Sequence, residues 1–187
     1  MVIEKLRAGT RQTHEELEQE MLPLIREATD TTSYARLLRL FYGYYRPLEK
    51  GIETYLDNSV LPDLEGRRKT SWILDDLHSL GQDGPVAEDP GAPLITSRAD
   101  ALGALYVMEG SSLGGKVICK MIGENLGLQA TTSLSFFYGY GGQTGSKWKE
   151  FLQALDKFSG TGEEEAIVRK ADEVFLKFRG WLRGNKF

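Results

Sequence analysis

The chain has 187 residues, with 41% hydrophobic and 27% charged side chains and a formal net charge of -4 at pH 7. A chain of this size can bury about 70% of its unfolded surface, enough for one domain with its own core. The negative balance excludes a general attraction to nucleic acid or to anionic lipid, so any basic patch must be local. Cys119 is the single cysteine, which rules out an intramolecular disulfide and a cysteine-based zinc site and suits a reducing compartment. The start, Met1 to Arg7, has no apolar signal core, and no stretch approaches the about 20 apolar residues of a membrane span. The expectation is a cytoplasmic protein with neither nucleic acid nor membrane as partner.

Helical periodicity runs along the whole chain, and no alternating strand stands out. Ile3, Leu6, Leu17, Met21 and Leu24 mark the inner stripe of a first helix, with Thr10 and His14 filling its gaps. Thr32-Ser33 can cap a second helix that buries Leu37, Leu38, Phe41, Tyr45, Leu48, Ile52 and Tyr55. Pro62-Asp63 can open a third, running through Trp72, Ile73 and Leu77 to a stop at Gly81. Residues 81–96 are rich in glycine and proline and read as a loop. Ser97 can cap a long helix through Leu102, Leu105, Leu113, Val117, Met121 and Leu126, whose glycines predict a weak or bent middle. A short aromatic segment, Leu134 to Tyr138, and a glycine-rich turn, Gly139 to Gly145, precede two further helices at about 146–158 and 163–182.

His14 is the first residue with chemical promise. Glu18 lies one turn on, where its carboxylate could accept the Nδ1 proton and leave Nε2 for a metal. Arg7 and Arg11 fall on nearly the same side of the helix, where they could meet carboxylates at the edge of a flat metal-centred ligand. The plainer alternatives are a packed core histidine and a solvated basic face with Arg11 paired to Glu15. Zinc-protease chemistry lacks its second histidine, because His14-Glu15-Glu16-Leu17-Glu18 is no H-E-x-x-H helix. A di-iron bundle wants two Glu-x-x-His pairs, and Arg11 and Asp75 stand where the glutamates before His14 and His78 would be.

The second region of promise is Leu105 to Gly115. Glycine inside a helix costs about 1 kcal/mol relative to alanine, so Gly103, Gly110, Gly114 and Gly115 in one helix form a considerable penalty. Either close helix packing requires them, or a bulky ligand lies against bare backbone. A bend here could also aim carbonyls and the Ser111 or Ser112 hydroxyls at bound dioxygen or ordered water. No P-loop is present, since Val117 follows Lys116. Phe136, Phe137 and Tyr138 either wall a pocket or fill the core, and Lys149 could add another cation.

Taken together and in this order, the segments Thr10–His14, Leu40–Glu49, Leu105–Gly115 and Phe136-Phe137 before Lys147-Trp148-Lys149 resemble the biliverdin-producing heme oxygenase family, particularly its bacterial members. The resemblance spans about Leu6 to Phe158. It implies a single all-α domain over residues 1–187, a helical bundle with a bent, glycine-rich distal helix. It implies heme as both substrate and cofactor, with His14 as the axial iron ligand, Glu18 orienting it, and Arg7, Arg11 and Lys149 pairing with the propionates. Gly110, Gly114 and Gly115 match the distal glycines, Phe137 becomes a heme contact, and Gly110, Ser111 and Gly114 form the catalytic face.

The implied reaction cleaves heme to biliverdin, iron and carbon monoxide with dioxygen. Its electrons come from a separate donor such as a ferredoxin or flavodoxin, because no nucleotide- or flavin-binding fingerprint is visible; a basic patch near Arg7 and Arg11 could dock an acidic donor. Two positions depart from the family: Ser111 stands where many members carry aspartate, and Gln153 where a basic residue is usual. Ser111 favours an alternative, a non-catalytic heme- or bilin-binding carrier or sensor. A thiaminase-like helical hydrolase is a third reading.

Overall fold

The computed structural model describes residues 1–67, 69–129 and 132–185. These form seven α-helices and two short 3₁₀ turns, with no strand among them. The helices are α1 (Val2–Glu27), α2 (Thr31–Tyr55), α3 (Ser71–Ser79), α4 (Arg98–Leu126), α5 (Ser135–Tyr138), α6 (Thr144–Asp156) and α7 (Glu164–Gly184).

Two boundaries differ from the sequence expectation. Helix α2 is capped by Asp30 rather than by Thr32-Ser33: the Asp30 carboxylate accepts the Ser33 amide at 2.7 Å, and Ser33 is the third residue of the helix. The caps at Asp30 and at Ser97, whose hydroxyl oxygen accepts the Asp100 amide at 3.1 Å, each satisfy an amide that the helix itself leaves open. The third helix starts at Ser71 and not at Pro62. Residues 62–66 instead make a 3₁₀ turn over Leu64–Gly66, because Arg67 is drawn inward to buried carboxylates and the chain must turn to deliver it. Gly81 stops the segment in the left-handed region, with φ +66°, and Gly127 does the same after α4, as an αL cap.

Helix α7 is the floor on which the two long site helices rest. Along α1, Val2 pairs with Ser159, Gly9 abuts Val168, Thr13 donates to Asp172 at 2.6 Å, Glu16 pairs with Arg179 and Glu20 with Arg183. Both numbers rise together, so α1 runs parallel to α7. Along α4, Arg98 pairs with Glu163 at 2.9 Å and Gly103 lies on Ile167 and Ala171, so α4 runs the same way. Helices α1 and α4 touch each other only slightly, and α7 supports both.

Helix α2 fills the centre from the other side. Tyr44 stacks on Phe178 with ring centroids 4.5 Å apart, and Phe41 meets Phe136, Phe137 and Phe178 edge-on. Such aromatic pairs add about 0.5–1.5 kcal/mol each beyond area burial. Among the described residues no helix is long and apolar enough to cross a membrane.

Asp63 stabilises the α2–α3 connection in a pH-dependent way. Burial pushes its carboxyl up, but hydrogen bonds and charge from Lys147 and Arg67 more than offset that and hold it below the usual carboxylate range. A carboxyl depressed in the folded state contributes stability above its unfolded pKa and loses it as pH falls through the folded one. The stability gap between the protein and Asp63→Asn is therefore expected to be open at pH 7 and to close below about pH 4. Urea midpoints at pH 7, 5 and 3 check this.

Candidate functional site

Thr10 of α1 and Tyr106 of α4 mark where the two long helices meet: the Tyr106 phenol lies near the Thr10 side chain and feels the Arg7 charge. Both helices run the same way, so one turn further along lie His14 on α1 and Gly110 on α4. The space between α1 and α4 beyond that crossing, with α7 in contact with both helices, is the candidate slot. At about 100° per residue, Tyr106, Gly110, Leu113, Gly114 and Val117 share one stripe of α4. Gly103 belongs to the same stripe; there α7 covers it, whereas beyond Gly110 the stripe is open.

The glycines separate by what surrounds them. A Cβ on Gly103 would overlap the Ile167 carbonyl, and one on Gly115 would overlap the Phe137 carbonyl. Those two positions are explained by close helix packing. A Cβ on Gly110 would meet only the Trp148 ring, at 3.6 Å, and one on Gly114 would meet nothing within 4 Å. Protein packing does not demand glycine at either. On the same open stripe Leu113 is 45% and Val117 63% exposed. A bare, apolar helix face of this kind fits a flat apolar ligand laid against main chain.

His14 faces the slot from α1 with its side chain 51% exposed. Phe175 of α7 supports it edge-on, with ring centroids 5.2 Å apart. Glu18 lies one turn on as expected, but its Oε1 is 3.6 Å from Nε2, not bonded to Nδ1. The outer ring nitrogen is the one that reaches an i+4 carboxylate on a helix surface. At 3.6 Å the contact is an ion-pair distance rather than a hydrogen bond.

The three candidate cations are all exposed. Arg7 is exposed near Tyr106, Arg11 is exposed with Glu15 at 3.5 Å, and Lys149 is exposed on α6, next to the Trp148 that faces Gly110. Ser111 donates its hydroxyl to the Met108 carbonyl at 2.7 Å, and Ser112 donates to the Glu109 carbonyl at 2.6 Å. These back-bonds, added to the glycine run, account for the bend of α4.

The structure separates two residues from this group. Phe137 is 2% exposed and packs edge-on to Phe41 at 5.1 Å; it belongs to the aromatic core and not to the slot wall. Gly115 sits on the back of α4 against Phe137 and carries helix packing rather than the open face. The run of glycines in the sequence does not by itself say which side each one serves.

Sequence reasoning also missed a buried polar cluster behind Gly110. Arg67 and Glu109, 2% and 4% exposed at their side chains, pair at 2.6 Å. Arg67 Nε also bonds Asp63 at 3.0 Å, and Tyr140 donates to the other Glu109 oxygen at 2.8 Å. Arg67 Nη2 is buried without a hydrogen bond. It has the Glu150 carboxylate at 3.6 Å; Arg67 also lines a cavity of about 30 Å³ together with Glu49, Glu109 and Met108, and a polar space of that size suits an internal water. The available signal was Glu109 itself, a carboxylate ending the otherwise apolar run Ala101 to Met108, since a charge in such a place requires a partner.

Comparison with known proteins bears on the family and the fold. The family described as heme oxygenase matches residues 1–81 and 93–184. A heme oxygenase of Xanthomonas campestris pv. campestris is 36% identical over 154 residues, covering 82% of this chain and 90% of its own. Heme oxygenase PigA of Pseudomonas aeruginosa is 26% identical over 181 residues, covering 94% and 88%. The solved NO- and CO-bound heme oxygenase of Neisseria meningitidis superimposes with a TM-score of 0.84 at 21% identity, covering 99% and 92%. Heme oxygenase-1 of the cyanobacterium Synechocystis, solved in complex with heme, gives 0.75 at 17% identity with the same coverage.

Proposed function

The chain belongs to the heme oxygenase family, and from that premise we propose how its own residues divide the work of cleaving heme to biliverdin, iron and carbon monoxide. His14 would hold the heme iron through a ring nitrogen from α1, with Glu18 holding the ring in register. Gly110 and Gly114 let the α4 backbone approach the porphyrin face, while Leu113 and Val117 give it an apolar bed. Arg7, Arg11 and Lys149 at the mouth pair with the two propionates and fix the rotation of the disc, which decides the edge that reacts. Heme, as substrate and cofactor, supplies the iron that binds and activates dioxygen when reduced. Gly110, Ser111 and Gly114 form the catalytic face, where dioxygen and ordered water lie against main chain rather than side chain.

The observation that carries this reading is the open glycine face of α4, where a Cβ on Gly114 would meet nothing within 4 Å; the half-exposed His14 imidazole of α1 supports it. Electrons come from a separate protein, an acidic ferredoxin or flavodoxin docked near Arg7 and Arg11, because charge complementarity of that kind speeds encounter. A cytoplasmic setting belongs to the same proposal and is supported by the lone cysteine. So does residues 1–187 acting as one domain, supported by a single core reaching from Val2 to Leu182.

The test is optical. Heme-loaded protein given oxygen and a ferredoxin reducing system should lose its Soret band while biliverdin absorbance grows; a stable Soret band would mean a carrier or sensor. Reversing Arg7 or Arg11 to Glu is expected to weaken heme retention by about threefold to tenfold, the scale of an exposed ion pair turned repulsive. Heme transfer to apomyoglobin measures it, and product chromatography shows any accompanying change of biliverdin isomer.

A further inference from the structure

We propose that Asp76 is a positioning residue for the open face of α4, acting through the short helix α5 and the glycine seat at Gly115. The inference rests on the reading of that face as the heme site.

Asp76 is completely buried, and a buried carboxylate persists only where its oxygens are bonded. Its Oδ1 accepts the Ser135 amide at 2.9 Å and the Ser135 hydroxyl, and its Oδ2 accepts the Phe136 amide at 3.0 Å. One carboxylate therefore grips the first two amides of α5 and fixes the orientation of that helix on α3. Burial pushes the carboxyl up, against the pull of these same donors. The aromatic rings of α5 already have a seat: Phe136 and Phe137 lie 5.9 and 5.1 Å from Phe41. Hydrophobic packing thus holds α5 in place, and Asp76 determines how it is turned.

That turn matters because the far end of α5 touches α4 through backbone. The Phe137 carbonyl rests on Gly115, with no room for a Cβ. Immediately after, Gly139 takes φ +57° and reverses the chain, so the contact cannot be relieved by a sliding C-terminus. Gly110, Leu113, Gly114 and Val117 occupy a different side of α4 from Gly115. A shift of α5 toward α4 therefore pushes the open face into the slot, and a shift away lets it recede. Asparagine cannot replace the aspartate cleanly, because its NH₂ would confront an amide N–H.

A double-mutant cycle tests the coupling. Gly115→Ala should speed heme transfer to apomyoglobin about tenfold in the native background, but only about threefold or less with Asp76→Asn, where α5 is free to yield. In the heme-free protein, Asp76→Asn should raise amide exchange at residues 110–115 about tenfold and leave the α1–α7 seam unchanged. If Asp76→Asn does not fold, Ser135→Ala, which removes one of the three donors, runs the same cycle with a smaller coupling. Ser79→Ala removes a hydroxyl bonded to Ser133 at 2.9 Å and to the main-chain carbonyl of Asp76 at 2.7 Å, leaves the carboxylate and its three donors in place, and should show no coupling. Additive effects in the cycle, unchanged exchange at 110–115, or equal coupling from Ser79→Ala would each overturn the proposal. Failure of the native protein to bind heme would instead end the functional reading and leave the exchange result to be judged alone.

Discussion

Replacing His14 by alanine is expected to abolish normal axial ligation and to cut turnover by about a hundredfold or more, since a metal ligand has no substitute within reach on α1. The fold should barely register the change. The imidazole is half exposed and its one close ring contact is Phe175 at 5.2 Å, so the loss of stability should stay near about 1 kcal/mol. Circular dichroism and a urea melt check the fold; the reduced, CO-bound spectrum checks the ligand. Free imidazole, small enough to enter the space left by the side chain, should restore part of the native spectrum. A variant that cleaves heme at the native rate would remove His14 from its role.

The glycines of α4 give the second large effect, with opposite signs at two positions. Gly114→Ala meets nothing within 4 Å and replaces a poor helix former by the best one, so the heme-free protein should gain about 0.5–1 kcal/mol. The same methyl lies on the open face, so heme affinity should fall by about tenfold or more, a cost of the overpacking kind. Gly103→Ala drives a methyl into the Ile167 carbonyl and should lower the stability of the heme-free protein by about 1–3 kcal/mol or more. Thermal melts of the heme-free variants beside heme titrations separate the two. Equal destabilisation at both positions would mean that Gly114, too, is there for helix packing, and the slot would lose half its definition.

Much of this was legible in the residues. The apolar stripe of α1 and the cap at Ser97 follow from spacing and local chemistry, and the structure has them where the pattern puts them. His14, which the pattern puts in a gap of that inner stripe, is instead half exposed, an outcome that fits a ligand role better than a packing one. What the residues did not disclose is tertiary. Gly115 and Phe137 look like their neighbours in sequence, and only the approach of α5 to the back of α4 assigns them to packing. Arg67 gave no sign that it would turn inward, because an arginine after a Pro-Asp turn is ordinarily solvated. Its partner Glu109 lies 42 positions away, a separation that no local pattern spans. The expected start of the third helix failed for the same reason: a buried ion pair outweighed the local helix-start signal at Pro62-Asp63.

The way α1 and α4 lean on α7 while scarcely touching each other has a mechanical consequence. Two arms mounted on a common beam can spread or draw together by small tilts without tearing a shared interior. A rigid planar guest and a ring-opened, more pliable product can then be held in turn by the same pair of arms. The compliance resides in the α1–α7 and α4–α7 seams, so their side chains, far from any iron, govern how firmly the guest is gripped and how readily it leaves.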